Sequence, residues 1–378
     1  MSYTLISFKD VLLSSGSFRI KLIKTIDYIV GSLLAQLVPA KNKTLEPASL
    51  DPKRILVIRP GGIGDAIFLL PILRRIKEVK AGICIDVLCE KRNAIVFSSQ
   101  EGICDHVYCY DSLKSFSTLW HNSYDVIIDS EQWHYLSALV SYFLSAQYSV
   151  GFGSRPLRTK LLNHPVDYDI NEYELKSFQK LFTKIFPSLK PIDSLNASFH
   201  VDQDSLSWAK NKVKERSVSL FLGGSLPEKY LPLDKAIEVI KFVIGQGYQA
   251  VLLGGKDIVS FNQQIENKVS DKRLLNLTGQ TSLSQSAATI SLSKLFVGTD
   301  SGLLHLARAV GTPTVAIFGS TNPKKWGATN PQNIIIADNL PDAAYSKFSY
   351  SSPSYDGSSL NKLDTERIIS AMKELLNK

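Results

Sequence analysis

Short apolar runs rich in β-forming residues alternate with helix-like segments along most of the chain. In the first half these runs lie at 54–59, 82–89, 106–111, 124–129 and 149–152. The alternation stops between 186 and 201, a stretch with two prolines and little periodicity. It then restarts, with runs at 217–224, 249–255, 274–279, 294–298 and 312–320. Strands separated by helices need crossover connections, so the pattern predicts two parallel sheets covered by helices.

The predicted architecture is therefore α/β, with two doubly wound, Rossmann-like domains facing a central cleft. Ligands of such sheets bind beyond the carboxyl ends of the strands, and we expect the site there. The chain divides into an N-terminal amphipathic extension, two Rossmann-like domains, and a segment with a loop and a closing helix: 1–50, 51–195, 196–345 and 346–378.

The extension carries apolar residues at helical spacing over 18–39. Its uncharged run covers only 28–38, whereas a membrane-spanning helix needs about 20 apolar residues. The apolar stretch also begins too far from the start for a signal peptide. Two interpretations stay open: a helix packed on the following domain, or an interfacial helix that docks on acidic lipid.

Composition narrows the class of protein. The chain has 378 residues, of which 44% are hydrophobic and 21% charged, as is typical of a folded protein. The net charge is +8, and residues 1–54 hold eight Lys or Arg against four Asp or Glu. This bias predicts attraction to an anionic surface or substrate. No nucleic-acid-reading motif accompanies it, so we expect no nucleic-acid partner. The four cysteines lack paired zinc-ligand spacing, which favours a reduced compartment.

A glycine-rich turn follows the first predicted strand, in the sequence RPGGIGDAIFLLP (59–71). Gly61, Gly62 and Gly64 permit a tight turn and close approach of a ligand. The pattern fails the dinucleotide fingerprint because Ile67 stands where a small residue is required. Asp65 has two open roles: an N-cap of the next helix, or a base that takes a proton from an attacking hydroxyl.

The stretch VGTDSGLLHLARAVGTPTVAIFG (297–319) predicts a strand, a capped helix start near Ser301 and a second strand. A helix N-terminus carries unpaired N–H donors and partial positive charge, so it is suited to a diphosphate. Gly302 lets a ligand reach those donors. Asp300 would repel an anion, so we expect it to cap the helix or to accept hydrogen bonds from hydroxyls.

Two further turns follow strands of the second half. In LGGSLPEKYLP (222–232), the residues Gly223, Gly224 and Ser225 offer donors and Lys229 offers a compact charge, although a lone lysine is more often a surface residue. In LLGGKD (252–257), Asp257 either binds ribose hydroxyls or caps a helix. Three such turns, in order at successive strand ends, are stronger evidence for a phosphate-binding site than any one of them.

These motifs resemble glycosyltransferase family 9, the ADP-heptose:lipopolysaccharide heptosyltransferases, from about residue 54 to 328. The resemblance implies a GT-B fold, with acceptor binding in the first domain and nucleotide-sugar binding in the second. It also implies an inverting reaction without metal or other cofactor. Asp65 would be the catalytic base, and the donor-binding residues would be Gly224, Ser225, Lys229, Asp257, Thr281, Ser282, Asp300, Ser301 and Gly302. Tyr230, Leu231 and Pro232 depart from the family's aromatic-Pro pair after the lysine.

On the acceptor side we expect Gly62, Gly64, His134 and Arg155. Arg155, Arg158 and Lys160 form a basic cluster that either binds an acceptor with phosphates or carboxylates, or is a solvated loop. His305 is expected to be a hydrogen-bonded core histidine. Two Asp-x-Asp triplets, at 167–169 and 202–204, occur at about the frequency of chance, so we predict no metal site. Asp204 and Ser205 are expected to cap the helix beginning at Leu206.

The sequence thus predicts an enzyme that moves heptose from ADP-heptose to an anionic, lipid-linked core oligosaccharide. The resemblance implies a bacterial cytoplasmic location, with peripheral contact at the inner face of the inner membrane left open. Alternatives are transfer from another sugar nucleotide, a protein acceptor, a sugar-nucleotide epimerase, and a catalytically silent binding protein.

Overall fold

A parallel six-stranded sheet forms the centre of each of two units. The computed structural model describes residues 18–42, 50–224, 227–328, 330–346, 350, 355 and 357–378. The chain passes from the first unit to the second between Asp193 and Ser194, and Tyr350 belongs to the first unit.

The strands of the first unit lie in the order β3-β2-β1-β4-β5-β6, and all neighbours are parallel. This is the doubly wound order, which confirms the predicted α/β class. Its elements in chain order are β1 (Arg54–Arg59), α3 (Ile63–Val79), β2 (Cys84–Cys89), α4 (Lys91–Ser98), β3 (His106–Cys109), α5 (Leu113–Trp120), β4 (Tyr124–Asp129), α6 (Tyr135–Phe143), β5 (Ala146–Phe152), α7 (Pro156–Thr159), β6 (His164–Val166) and α8 (Glu174–Thr183).

The second unit repeats this topology, with the strand order β12-β11-β10-β7-β8-β9 and parallel neighbours throughout. Its strands and α-helices are α9 (Gln203–Lys210), β7 (Ser217–Phe221), α10 (Leu233–Gly245), β8 (Gln249–Leu252), α11 (Val259–Val269), β9 (Leu274–Asn276), α12 (Leu283–Leu292), β10 (Leu295–Thr299), α13 (Gly302–Ala309), β11 (Thr314–Phe318), α14 (Pro323–Trp326), β12 (Asn333–Ala337), α15 (Ser359–Lys362) and α16 (Thr365–Leu376).

The central strands are mostly apolar between their ends because helices cover both faces of each sheet. In β1, Ile55, Leu56 and Val57 have no exposed surface, and β10 buries Leu295 and Val297 as completely. Continuous Val, Ile and Leu runs therefore form strands, while the amphipathic segments between them form the covering helices.

The sequence pattern did not identify β6 and β12, which lie at sheet edges. β6 has three residues and contains Pro165, which a sheet accepts at its edge. β12 is only half-buried over most of its length. The predicted caps of α9 are wrong: Asp202 is the N-cap, since its carboxylate accepts a hydrogen bond from the Ser205 backbone N–H at 2.7 Å.

The N-terminal helix comprises α1 (Phe18–Ile26), a π-helical segment (Asp27–Gly31) and α2 (Ser32–Leu37). Among residues 21–37, the buried positions are Lys24, Asp27, Gly31 and Ala35. A Cβ on Gly31 would lie 3.1 Å from the Cβ of Tyr135 on α6, so the two helices touch closely there. The helix therefore packs on the first unit. No helix among the described residues is both long and apolar enough to cross a bilayer.

Candidate active site

In each unit the chemistry-bearing residues follow the two central strands. In the first unit, the glycine turn follows β1 and Glu131 follows its neighbour β4. In the second, Gly223 and Gly224 follow β7 and Asp300 follows its neighbour β10. These are the points where strand order reverses, and a doubly wound sheet binds ligands there.

Asp300 is the centre of the charged group in the second unit. Its Oδ2 lies 3.4 Å from the Lys229 ammonium, and its Oδ1 lies 3.6 Å from Nε2 of His305. Burial alone would raise the pKa of Asp300, but the charge of Lys229 and hydrogen bonds from His305 and Thr321 hold it well below its usual range. Burial lowers the pKa of His305, against the pull of Asp300. A buried carboxylate thus fixes the lysine.

The N-cap of α13 is Ser301, whose hydroxyl accepts a hydrogen bond from the Leu304 backbone N–H at 3.4 Å. The expectation that Asp300 caps this helix is wrong, because its carboxylate faces Lys229 and His305 instead. Gly302 opens the helix, so the N–H groups of its first turn carry partial positive charge beside the Lys229–Asp300 pair.

Close packing defines the turns around this pair. A Cβ on Gly298 would lie 2.9 Å from the carbonyl oxygen of Phe221, so only glycine fits where β10 pairs with β7. The Thr299 hydroxyl donates a hydrogen bond to the Gly223 carbonyl and ties the two turns together. Gly224 is buried beside them. Ser225, a predicted donor ligand, lies outside the described residues.

The remaining predicted donor residues lie on neighbouring turns. Asp257 is exposed in a 3₁₀ turn whose N-cap is Gly255, so its predicted alternative as a cap is wrong. Its charge raises the pKa of Tyr230, after the larger effect of burial. Ser282 is the N-cap of α12 and shares a reciprocal capping box with Gln285. The hydroxyls of Thr281 and Ser286 are 2.8 Å apart.

Arg59 ends β1 and anchors the site of the first unit. Its Nη2 donates to Glu131 Oε2 at 3.0 Å, and its Nη1 donates to the Ser130 carbonyl at 2.8 Å. Burial would lower the pKa of Arg59, but the charges of Asp65 and Glu131 raise it. Conversely, burial would raise the pKa of Glu131, and the charges of His134 and Arg59 lower it. Both groups are therefore held charged.

Asp65 is half-buried in the first turn of α3, near Arg59. The helix N-cap is Gly62, so the capping alternative for Asp65 is wrong. A Cβ on Gly62 would lie 2.8 Å from Asp65 Oδ2, and Gly64 lies in the same turn. Gly61 has φ of +98°, which only glycine adopts easily. The turn therefore places the Asp65 carboxylate near the Arg59 guanidinium and against glycine backbone.

Arg155 is buried within aromatic side chains. Its guanidinium carbon lies 3.9 Å from the ring centroid of Tyr135, 4.7 Å from that of Trp133 and 5.5 Å from that of Tyr28. The residue is 8% exposed, and no described residue pairs with its Nη1 by a hydrogen bond. We call Arg155 and these three aromatic residues the arginine cage. The interpretation of this cluster as a solvated loop is wrong.

The N-terminal helix borders the arginine cage. Asp27 accepts a hydrogen bond from the Leu136 N–H at 2.7 Å, and its other oxygen lies 3.1 Å from His134 Nδ1. Burial would lower the pKa of His134, but Asp27 and Glu131 raise it. The Lys24 ammonium lies 4.1 Å above the ring of Tyr350. His134, predicted on the acceptor side, thus has its Nδ1 held by the buried carboxylate of Asp27.

Arg158 and Lys160 also differ from a solvated cluster. Arg158 is fully buried, and its Nη2 lies 2.5 Å from Asp129 Oδ2. The Lys160 ammonium donates to the Gln36 carbonyl of α2 at 3.0 Å. Both side chains are therefore bound within the first unit. Of the three basic residues, Arg155 is the one whose guanidinium rests on aromatic rings.

One group among the described residues could offer three metal ligands: Cys84, Asp86 and His106, with ligand atoms within 4.8 Å of one another. Asp86 already accepts hydrogen bonds from Arg54 Nη2 at 2.7 Å and from the Tyr124 hydroxyl at 3.0 Å. The group fits a hydrogen-bonded ion pair at the amino ends of β2 and β3. We assign no metal to it.

Sequence reasoning missed Arg59, Tyr28 and Tyr350 as site residues. Arg59 had a usable signal, since a charged residue that ends a buried central strand lies at the ligand-binding edge. Tyr28 and Tyr350 had no such signal. Tyr28 contacts Arg155, and Tyr350 contacts Lys24, and both contacts join segments that are distant in sequence.

The sequence of this chain is similar to those of known glycosyltransferases. Residues 113–353 match the model of glycosyltransferase family 9 (heptosyltransferase). Lipopolysaccharide heptosyltransferase 2 of Escherichia coli (strain K12) is 27% identical over 300 residues, which cover 71% of this chain and 84% of that protein.

Two solved structures share the fold. A family 9 glycosyl transferase from Veillonella parvula superposes with a TM-score of 0.73 at 16% identity, covering 89% of this chain and 99% of that one. E. coli ADP-heptose LPS heptosyltransferase II superposes with a TM-score of 0.69 at 22% identity, covering 86% and 98%. With two doubly wound sheets, an anion-suited turn and these matches, the chain belongs to glycosyltransferase family 9, the heptosyltransferase family, and is a glycosyltransferase with the GT-B fold.

Proposed function

We propose that this glycosyltransferase moves heptose from ADP-heptose to an anionic, lipid-linked core oligosaccharide of lipopolysaccharide. Support comes from the family and from the E. coli relatives, whose names give lipopolysaccharide and ADP-heptose. The observation that carries the proposal is the Lys229–Asp300 pair beside the N-terminus of α13. It provides one compact cation and a set of N–H donors, which is the chemistry that a leaving diphosphate needs.

The donor would bind in the second unit. Lys229, Gly224, Ser225, Ser301 and Gly302 hold the diphosphate in this proposal. Asp300 keeps Lys229 in position and accepts hydrogen bonds from the donor sugar. Asp257 binds the ribose, and Thr281 and Ser282 lie near the adenine.

In the transfer step the bond from the anomeric carbon to the phosphate oxygen breaks, and ADP leaves with the electron pair. The acceptor hydroxyl oxygen forms the new bond from the opposite face and inverts the centre. Asp65 takes the hydroxyl proton. Lys229 and the α13 N–H groups stabilise the charge that grows on ADP, so the step as proposed needs no metal.

The acceptor would bind in the first unit, next to Gly62 and Gly64. Arg155 is the proposed ligand for an acceptor phosphate or carboxylate, because no carboxylate of the described residues forms a salt bridge with this buried cation, and an anionic ligand would stabilise it. His134 orients this wall through Asp27. A lipid-linked acceptor lies at a bilayer, so peripheral contact with the inner face of the inner membrane belongs to the proposal.

The test is incubation of the purified chain with ADP-heptose, UDP-sugars and GDP-sugars in separate reactions, with core oligosaccharide as acceptor. We expect ADP release and a heptosylated product by mass spectrometry with ADP-heptose, and no product with the other donors. Nucleotide release without an acceptor would instead indicate an epimerase or hydrolase. No turnover of ADP-heptose with any core acceptor would contradict the proposal.

A further inference from the structure

The N-terminal helix buries small and charged residues and exposes large aliphatic ones. A surface helix of a folded protein buries its apolar face and exposes its polar one. Here the packed face consists of Lys24, Asp27, Gly31 and Ala35. The outward face consists of large aliphatic residues, each between 41% and 81% exposed: Leu22, Ile23, Ile26, Ile29, Val30, Leu33, Leu34 and Leu37.

The packed face is held by specific contacts, so the outward direction of the aliphatic face is fixed. Asp27 accepts from the Leu136 N–H and pairs with His134. Gly31 lies against Tyr135. Ala35 is completely buried in a cluster with Ala138 and Leu161. Rotation of the helix to bury its aliphatic face would break all of these contacts.

Exposed apolar residues elsewhere are scattered. Six other large apolar residues are exposed among the described residues, and they lie on five different helices: Val79, Ile95, Leu113, Trp120, Phe143 and Val259. Single exposed apolar residues are ordinary, whereas a continuous apolar face marks an interaction surface. The helix 18–37 carries that continuous face.

Charge indicates which surface this face meets. Lys21 lies near one end of the helix, and Lys160 binds its other end through the Gln36 carbonyl. Residues 1–54 hold twice as many basic as acidic residues. Aliphatic side chains flanked by lysines are suited to the boundary between acyl chains and anionic headgroups.

We infer that the N-terminal helix docks the protein on an anionic bilayer through its outward aliphatic face. This inference deepens the proposed function, since that function requires a lipid-linked acceptor. The same helix supplies Tyr28 to the arginine cage and places Lys24 over Tyr350. Docking therefore places the arginine cage next to the bilayer that carries the acceptor. The inference combines the two interpretations of the extension: one face packs on the first unit, as the contacts of Gly31 and Ala35 show, and the other face is the proposed docking surface.

The test uses the full chain and vesicles of phosphatidylcholine with phosphatidylglycerol, separated by flotation. The variant is Ile26→Gln/Ile29→Gln/Leu33→Gln, and the matched control is Val79→Gln/Ile95→Gln/Leu113→Gln. All six side chains are at least 41% exposed, so neither triple change opens the core. We expect wild type and control to float with the vesicles, and the helix variant to lose at least about tenfold in partition.

Three outcomes would overturn the inference: wild type that does not bind the vesicles, an equal loss in the control, or a wild-type dimer that the helix variant dissociates without lipid. The last result would make the face an interface between two copies. Transfer to soluble core oligosaccharide is measured in parallel and should be the same in all three proteins. Transfer without vesicle binding rejects only the docking, and vesicle binding without transfer rejects only the proposed function.

Discussion

The carboxyl edges of the two sheets have the same topology and different chemistry. In the second unit the edge is mostly backbone: Gly223, Gly224, the start of α13 and one lysine fixed by Asp300. In the first unit the edge is crowded with side chains, including Arg59 paired with Glu131 and Arg155 enclosed by rings. Backbone N–H groups at a helix start suit any diphosphate, whereas side chains from separate segments are suited to one particular acceptor. We therefore propose that the second unit carries the common part of the reaction and that the first unit carries its specificity.

The strongest test of this comparison is Asp65, the proposed base. Asp65→Asn keeps the size of the side chain and removes the proton acceptor, so we expect kcat to fall by about 10²–10⁴-fold. ADP affinity should stay unchanged, because the nucleotide is assigned to the second unit. Glu78→Gln on the same helix is exposed and serves as the control. A kcat within twofold of wild type would remove Asp65 from the mechanism.

Substitution of Lys229 tests the carboxyl edge of the second sheet. Lys229→Met should lower kcat/KM by about 10²-fold, since the charge on the leaving diphosphate loses its cation. It should also weaken ADP binding, measured by calorimetry. Asp300→Asn should give a smaller loss, because Lys229 remains but is no longer fixed. Unchanged ADP affinity in both variants would place the nucleotide elsewhere.

Arg155 sharpens the comparison, since it should affect the acceptor alone. We expect Arg155→Met to raise the acceptor KM by about tenfold, the effect of one lost charge-assisted contact, with kcat and the donor KM unchanged. Arg155→Lys should recover part of the loss. An acceptor stripped of phosphate and carboxylate should bind wild type and Arg155→Met equally. If Arg155→Met instead lowers the melting temperature and leaves the acceptor KM unchanged, the arginine cage is structural.

How far the sequence predicts each edge follows from the same comparison. The carboxyl edge of the second sheet is built from short continuous segments, so the placement of Lys229, Ser301 and Gly302 at this edge could be predicted from the residues around them. The doubly wound fold was predictable for a similar reason, since strands such as β1 and β10 contain continuous apolar runs, ILVI and LFV.

The carboxyl edge of the first sheet could not be predicted in this way. Arg155 looked like part of a surface cluster because the rings that enclose it come from residues 28, 133 and 135. The capping alternative for Asp300 was wrong for a related reason: a cap is a local preference, and the tertiary contact with Lys229 overrides it. Local patterns specify local contacts, and neither of these contacts is local.

The smallest expected effect concerns the buried face of the N-terminal helix. Burial lowers the pKa of Lys24 from 10.5 to about 8, although the charge of Glu131 opposes the shift. Between about pH 8 and 10.5 the unfolded chain therefore binds this proton more tightly, and Lys24 makes the free energy of unfolding rise with pH. Lys24→Met removes this contribution, while Leu22→Met changes no titratable group. Chemical denaturation at pH 7.5 and 10 should show the stability difference between wild type and Lys24→Met shifting in favour of wild type as pH rises. A difference that is independent of pH would mean that Lys24 titrates as it does in water, and that the helix does not bury it.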